Sequence, residues 1–245
     1  MGGVDTFDLL ASAGFRAPRA TLQKQLEALV RERATPTETL EVMTQLELHS
    51  RAATNLARRT KLATLGTVAP LDRFDWNYPR HIDRAAYEAL LTMDFVRAGT
   101  NVLLRGPSGV GKTTLAQNLG VAALSAGLSV RFTTLAQCVS DLLRQESTPA
   151  LTRRLRRYTA PDLLLLDELG YLPSEPRAAD LLYQIQSARH GRRSTVISTN
   201  LAFKQWGTMF GQAGSVTPLV DRFTEDCVVL DIEGDSWRQR KHRKG

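Results

Sequence analysis

The residues with the clearest chemical meaning form one glycine-rich segment. It reads Gly106-Pro107-Ser108-Gly109-Val110-Gly111-Lys112-Thr113 and fits the P-loop pattern G-x4-G-K-[ST]. Glycines let backbone N–H groups surround phosphate oxygens, and the helix that follows directs the positive end of its dipole at them. Lys112 would reach the β- and γ-phosphates, and the Thr113 hydroxyl would ligate Mg²⁺. The predicted nucleotide-binding residues are Gly106, Pro107, Ser108, Gly109, Val110, Gly111, Lys112, Thr113 and Thr114.

Two carboxylates follow a run of four leucines, Leu163 to Leu166. In a P-loop site, an acid at the end of a neighbouring buried strand holds the metal ion directly or through water, so Asp167 is a predicted metal ligand beside Thr113. Glu168 can polarise a water molecule for in-line attack on phosphorus. The pair therefore favours hydrolysis over transfer of the phosphoryl group to an acceptor.

A third candidate ends another buried strand. The segment from Ser194 to Asn200 is predicted as a buried strand that ends in polar residues. In P-loop ATPases the strand between the P-loop strand and the Asp–Glu strand often ends in a residue that senses the γ-phosphate. Asn200 is the candidate for this hydrogen bond, to the γ-phosphate or to the attacking water. The alternative is an ordinary asparagine that favours a turn.

The first third of the chain is predicted to be helical. One helix starts near Pro18, with an apolar stripe formed by Leu22, Leu26, Leu29 and Val30. The segment Thr35 to Glu38 predicts a capping box and a second helix that runs towards Leu65 and stops at Gly66. The residues expected to face inward on this helix are Leu40, Met43, Leu46, Ala53 and Leu56.

A connector with prolines and aromatic residues follows, over 68–78, and marks a domain boundary. We expect a small helical domain over 1–66 and an α/β domain over 67–245 that ends in a basic tail. From Asp83, which can cap a helix ending at Gly99, helices alternate with short apolar strands. The predicted strands span 101–105, 129–133, 163–167, 195–198 and 228–231, and the helices between them span 112–125, 135–144 and 174–190. This alternation predicts a parallel sheet flanked by helices, as in P-loop NTPases.

Composition excludes several classes of protein. Of 245 residues, 42% are hydrophobic and 23% are charged, so the chain is neither disordered nor collagen-like. The two cysteines, Cys138 and Cys227, form no disulfide framework or metal-binding pattern. No segment has the length of a membrane span and the N-terminus has no leader pattern, so we expect a cytoplasmic protein without membrane contacts. A net charge of +7 is compatible with a polyanionic partner.

The order of the motifs adds a resemblance to a known family. The P-loop is followed by Asp167-Glu168-Leu169-Gly170-Tyr171-Leu172-Pro173, Ser198-Thr199-Asn200, Phe203-x-x-Trp206-Gly207, Asp221-Arg222-Phe223 and Gly234-Asp235-Ser236-Trp237-Arg238. From about residue 68 onward the chain resembles the IstB-like helper ATPases of insertion sequences. These belong to the AAA+ class and are similar to DnaC-type helicase loaders.

The resemblance implies a cofactor, partners and two further site residues. It implies an ATPase that uses ATP and Mg²⁺, assembles as a homo-oligomer on duplex DNA, and presents the DNA to a partner transposase. Arg222 resembles the arginine finger that reaches the γ-phosphate in a neighbouring subunit; the alternative is that it pairs with Asp221 or Glu225. Arg238 resembles a C-terminal sensor arginine. Because the chain ends soon after Arg238, we expect no C-terminal helical lid.

Phe74 and Trp76 lie where relatives often place a residue that flanks adenine. Stacking on the base is physically reasonable, and the alternative is that these rings only fasten the connector to the domain.

Four basic groups could bind DNA phosphates without reading bases. For each group, a solvated surface is the alternative. The groups are Arg51, Arg58, Arg59 and Lys61; Arg153, Arg154, Arg156 and Arg157; Arg189, Arg192 and Arg193; and the C-terminal run from Arg238 to Lys244.

Two other functions remain open from the sequence. One is a replicative helicase loader, which binding of a helicase by the N-terminal region would favour. The other is a small-molecule kinase on the same fold, which Glu168 and the missing acceptor-site lid disfavour.

Overall fold

The computed structural model describes residues 5–169, 176–210 and 213–237. Contacts within the chain divide it into two compact units, Met1–Arg58 and Arg59–Gly245. The division falls within a long helix, and the domain boundary expected after Gly66 stays a prediction. Among the described residues, no helix combines the length and the apolar character needed to cross a bilayer.

The first unit is helical, as predicted. It contains α1 (Thr6–Ser12), α2 (Arg19–Arg31) and the first part of α3 (Pro36–Ala63). The capping box is confirmed, because the Glu38 N–H donates to Thr35 Oγ1 (3.3 Å) and the Thr35 N–H donates to Glu38 Oε2 (2.7 Å). A small core is formed by Ala17, Leu22 and Met43.

Four of the apolar residues expected to face inward are exposed instead, namely Val30, Leu40, Ala53 and Leu56. The exposed fractions are 70% for Val30, 69% for Leu40 and 39% for Leu56. The predicted stripes were wrong at these positions because two short helices and α3 enclose only a narrow core. The spacing of hydrophobic residues predicts which face of a helix is apolar, but it does not predict how much of that face the neighbouring helices cover.

The second unit contains a six-stranded sheet. Its strands are β1 (His81–Ile82), β2 (Asn101–Arg105), β3 (Val130–Thr134), β4 (Leu163–Leu169), β5 (Ser194–Thr199) and β6 (Cys227–Glu233). The order is β1-β6-β2-β5-β4-β3, and β2 to β6 are parallel. The predicted parallel sheet is therefore confirmed. Strand β1, which pairs antiparallel with β6, was not predicted.

Helices connect these strands. They are α4 (Arg84–Leu90), α5 (Asp94–Ala98), α6 (Lys112–Ser125), α7 (Leu135–Leu143), α8 (Thr148–Thr159), α9 (Pro176–Arg189), α10 (Phe203–Met209) and α11 (Val216–Thr224). The single helix expected from Asp83 to Gly99 is wrong. Asp83 caps α4, but Met93 adopts φ +64° and the Asp94 N–H donates to Thr92 Oγ1, so the chain turns and starts α5.

Strand β4 contains four consecutive leucines because both of its faces are buried. Leu163 and Leu165 belong to the core on one face of the sheet, and Leu164 and Leu166 to the core on the other. Successive side chains of a strand point to opposite faces, so a strand covered on both sides needs apolar residues at every position. This packing fixes the strand that carries Asp167 and Glu168.

Arg189 is a charged side chain that is fully buried among the described residues of the second unit. Arg189, the last residue of α9, has no exposed surface. Its guanidinium donates to the carbonyls of Tyr158 (3.0 Å) and Pro161 (2.7 Å) and to Thr195 Oγ1 (3.0 Å). It therefore joins the end of α8 to the segment before β4 and to β5. Its inclusion among the DNA-binding candidates was wrong, because the side chain cannot reach a phosphate.

We expect Arg189→Met to lower the free energy of unfolding by about 3 kcal/mol, because several buried carbonyls lose their donor. Urea unfolding followed by circular dichroism measures this difference. Arg192→Met removes an exposed arginine three residues away and is the matched control. Equal stability of the two variants would contradict a structural role for Arg189.

Candidate nucleotide-binding site

The P-loop connects β2 to α6 at the centre of the sheet. Gly109 and Gly111 adopt φ values of +85° and +97°, in the left-handed region that glycine enters without a steric penalty. A Cβ on Gly111 would lie 2.5 Å from Phe74 Cε2, and one on Gly106 would lie 2.2 Å from the Ile232 carbonyl oxygen. The three glycines are therefore required by conformation or by close approach, and the loop has the form of an anion cradle.

The lysine of the P-loop is held over this loop. Lys112 Nζ donates to the carbonyl oxygens of Gly106 and Pro107, both at 2.6 Å. Lys112 is also the first residue of α6, where the backbone N–H groups of the first turn have no partner within the helix. A positive side chain and free helix N–H groups at one place fit the phosphates of a nucleotide.

Asp167 is the centre of a hydroxyl–carboxylate cluster. Only 4% of its surface is exposed, and Thr113 Oγ1 donates to its Oδ2 at 2.8 Å. Ser198 Oγ donates to the other oxygen, Oδ1. Hydroxyl and carboxylate oxygens are ligands that Mg²⁺ prefers, so Thr113 and Asp167 fit the predicted metal site.

Ser198 was missed by sequence reasoning. The signal available was its place at the polar end of β5, because β5 is the neighbour of β4 in the sheet.

Glu168 lies at an irregularity in β4. The pairing of β4 with β5 shifts register between Leu166 and Leu169, and Glu168 adopts φ +60°. Its N–H donates to Ser198 Oγ at 3.0 Å. The bulge exposes the Glu168 side chain, whereas Asp167 and Leu169 on either side are buried. A residue with a Cβ in this conformation costs about 1–2 kcal/mol, and such strain is concentrated at functional sites.

One cavity of about 370 Å³ is lined by the P-loop from Ser108 to Thr113, by Glu168 and by Ser198. Glu168, Asn200 and Lys112 lie on its wall, so the structure brings three of the four predicted catalytic residues together, and Arg222 is not among the residues that line it. The connector and the C-terminal segment also contribute, and sequence reasoning gave no role to most of these residues. The additional lining residues include Arg73, Asp75, Tyr78 and Trp237.

Phe74 and Trp76, the two connector residues considered for stacking on adenine, have different positions. Phe74 lines the cavity, whereas Trp76 packs between Phe74 and Tyr87, with ring centroids at 4.8 and 5.5 Å. Trp76 therefore fastens the connector to the core, as the alternative predicted, whereas Phe74 faces the cavity.

An ion pair fixes the strand that leads into the P-loop. Arg105 donates to both carboxylate oxygens of Asp231, at 2.6 and 2.7 Å, across the paired ends of β2 and β6. The bonded guanidinium lowers the pKa of the Asp231 carboxyl below its usual value. The carboxylate therefore stays charged through neutral pH and holds the register next to Gly106.

The resemblance implied roles for two arginines, Arg222 as an arginine finger and Arg238 as a sensor. Arg222, on α11, is half-buried, and its guanidinium lies 5.1 Å from the centroid of the Tyr183 ring. Within the described part of the chain it forms no ion pair with Asp221 or Glu225, and Glu225 lies 3.3 Å from His190 instead. Its role as a finger stays a prediction. Arg238 lies outside the described residues.

The arginines predicted to bind DNA differ in whether their guanidinium groups already have a partner within the protein. Arg154 is bonded to Asp141, Arg51 to Glu47, and Arg59 to the Gly127 carbonyl. By contrast, Arg153, Arg156 and Arg157 are exposed and follow the i, i+3, i+4 spacing of one face of α8.

The fold and the site together define a P-loop ATPase of the AAA+ type. The defining features are the order of the parallel strands, the P-loop after β2 and the buried acid at the end of β4. Residues 19–245 match the family model described as IstB-like ATP binding protein. The chain belongs to this family, and the predicted resemblance is confirmed.

Individual proteins show the same relationship. The chain is 34% identical over 223 residues to the insertion sequence IS21 putative ATP-binding protein of Pseudomonas aeruginosa, covering 91% of this chain and 84% of the relative. A crystal structure of DnaI has a TM-score of 0.56 at 19% identity, covering 72% of this chain and 92% of that one. A DNA replication initiation factor has a TM-score of 0.53 at 22% identity over 66% of this chain, which spans about half (49%) of its length. The two solved structures show the fold.

Proposed function

We propose that this protein hydrolyses ATP with Mg²⁺, assembles as a homo-oligomer on duplex DNA, and assists a partner transposase of an insertion sequence. The observation that carries the proposal is the placement of Glu168 and Asn200 on the same cavity as the P-loop, beside the Asp167 cluster. The similarity to a relative named for an insertion sequence supports the biological context over helicase loading.

The chain's own residues supply the parts that hydrolysis needs. The P-loop N–H groups and Lys112 bind the phosphates, and Thr113 and Asp167 hold the metal ion. Mg²⁺, when bound, neutralises charge on the phosphate oxygens. Glu168 accepts the proton of the attacking water, and Asn200 orients that water or the γ-phosphate by a hydrogen bond.

Duplex DNA is the proposed polyanion. The face of α8 formed by Arg153, Arg156 and Arg157 supports this partner, because it presents three exposed guanidinium groups. Backbone contacts of this kind are electrostatic, so they give affinity that falls steeply with salt and little sequence preference.

We expect the double variant Arg153→Ala/Arg156→Ala to weaken duplex binding and to reduce the slope of log affinity against log salt by about 1.8, since each lost phosphate contact contributes about 0.9. Fluorescence anisotropy with a labelled duplex at several salt concentrations measures both quantities. Arg97→Ala/Lys204→Ala removes the same charge from exposed positions on other helices and is the control. An unchanged slope would remove α8 from the DNA surface.

Light scattering tests the assembly. With a non-hydrolysable ATP analogue and duplex DNA together, we expect a particle many times the 27.1 kDa mass of one chain. Either ligand alone should give a smaller particle. A monomer under all conditions would contradict the oligomer and would leave Arg222 without a neighbouring subunit to reach.

A further inference from the structure

A short segment after β6 runs along the connector towards the nucleotide cavity. We call residues 234–237 the strap. Three contacts attach it to residues 78–80, at the end of the connector and just after it. Gly234 approaches Pro79 so closely that a Cβ on the glycine would lie 3.2 Å from Pro79 Cα, Arg80 pairs with Asp235 at 3.1 Å, and the rings of Tyr78 and Trp237 meet edge to face at 4.6 Å. The strap is thus held beside the cavity by residues 78–80.

The end of the strap lies on the P-loop. The backbone N–H of Trp237 donates to the carbonyl oxygen of Gly109 at 3.0 Å. Ser236 packs against the same glycine so closely that a Cβ on Gly109 would lie 2.2 Å from Ser236 Oγ and 3.1 Å from its Cα. Gly109 is therefore the point where a segment from the far end of the chain touches the phosphate cradle.

This contact determines the direction of a peptide plane. A trans peptide is planar, so the C=O of Gly109 and the N–H of Val110 point in opposite directions. The direction of this plane is set by ψ of Gly109 and φ of Val110, and glycine allows a wide range of ψ because it has no Cβ, so Gly109 does not fix the plane by itself. If the plane were reversed, the loop would present a carbonyl oxygen where a phosphate needs an N–H group.

We propose that the Trp237 backbone N–H is a positioning group for the P-loop: by holding the Gly109 carbonyl, it directs the Val110 N–H for phosphate binding. The inference rests on the proposed ATP site and assigns that site a part that the P-loop pattern does not contain. The inference gives the two parts of Trp237 different roles. The backbone amide acts on the P-loop, where the phosphates bind, whereas the ring lines the cavity beside Tyr78.

The test compares Trp237→Ala with Trp237→Pro. Both variants lose the ring, but only proline also loses the N–H. Inorganic tripolyphosphate, which has no base, is the probe, and it competes with a fluorescent ATP analogue on the full chain. We expect tripolyphosphate to bind about five- to tenfold more weakly to the proline variant than to the alanine variant, the effect of one hydrogen bond. Equal affinities in the two variants would overturn the inference.

A second pair of variants tests the contact between the strap and Gly109 if Trp237→Pro fails to fold. Gly109→Ala introduces the collision with Ser236 and also places a Cβ at φ +85°, and adding Ser236→Gly removes only the colliding Oγ and Cβ. We expect Gly109→Ala to weaken tripolyphosphate binding and the double variant to recover part of the loss. No recovery would overturn the inference. If the unmodified protein binds neither tripolyphosphate nor the ATP analogue, the proposed ATP site itself fails, which is a different result.

Discussion

Glu168→Gln should bind ATP with nearly unchanged affinity and hydrolyse it about 10³ times more slowly, because glutamine cannot accept the proton of the attacking water. The side chain is exposed to the cavity and contributes no packing, and its backbone bond to Ser198 does not depend on the carboxylate. The variant should therefore keep its fold and accumulate in the ATP-bound form on DNA. Phosphate release and binding of a fluorescent ATP analogue, measured on the same preparation, separate turnover from affinity.

Glu41→Gln makes the same chemical change at an exposed position of α3 and should leave both measurements unchanged. If Glu168→Gln turned over at the normal rate, Glu168 would not be the base. In that case the strained conformation of residue 168 would need another explanation.

Lys112→Ala should reduce ATP affinity by about 10²–10³-fold, because the charged donor to the phosphates is lost. The ammonium group is already aimed across the loop by the carbonyls of Gly106 and Pro107. Titration with a fluorescent ATP analogue measures the loss, and Lys204→Ala, at an exposed position of α10, is the control. Unchanged ATP binding would exclude Lys112 from the site.

The same variant tests Arg222 in a mixing experiment. Lys112→Ala subunits keep Arg222, and Arg222→Ala subunits keep the P-loop lysine. If Arg222 acts on a neighbouring subunit, a mixture of two inactive proteins regains some hydrolysis, since certain interfaces then hold both parts. A mixture as inactive as its components would contradict action between subunits.

Much of the fold could be predicted from local patterns. The four leucines before Asp167 indicate a strand covered on both faces, and α6 has the predicted bounds, from Lys112 to Ser125. Local patterns failed where a contact across the chain decides the outcome. The helix expected to continue from Asp83 breaks at Met93, and Leu40 is exposed because no other described residue of the first unit covers it.

The candidate site also contains residues that local patterns predict and residues that they do not. The P-loop and the two acids are visible because their residue types and spacing are local. Ser198 and Trp237 stand in the quoted motifs, but no role could be predicted for either, since each is bonded to a partner more than 30 residues away, Asp167 and Gly109 respectively. The bulge at Glu168 was also hidden, because the register of β4 against β5 depends on pairing that spacing alone does not describe.

The left-handed backbone at Glu168 has a consequence for directed evolution. Glycine is the residue that tolerates φ +60° without penalty, so a library selected only for heat resistance should enrich glycine at position 168. Those survivors would have gained stability by discarding the carboxylate on which turnover depends. A selection for thermostability and a selection for catalysis therefore favour different residues at this one position.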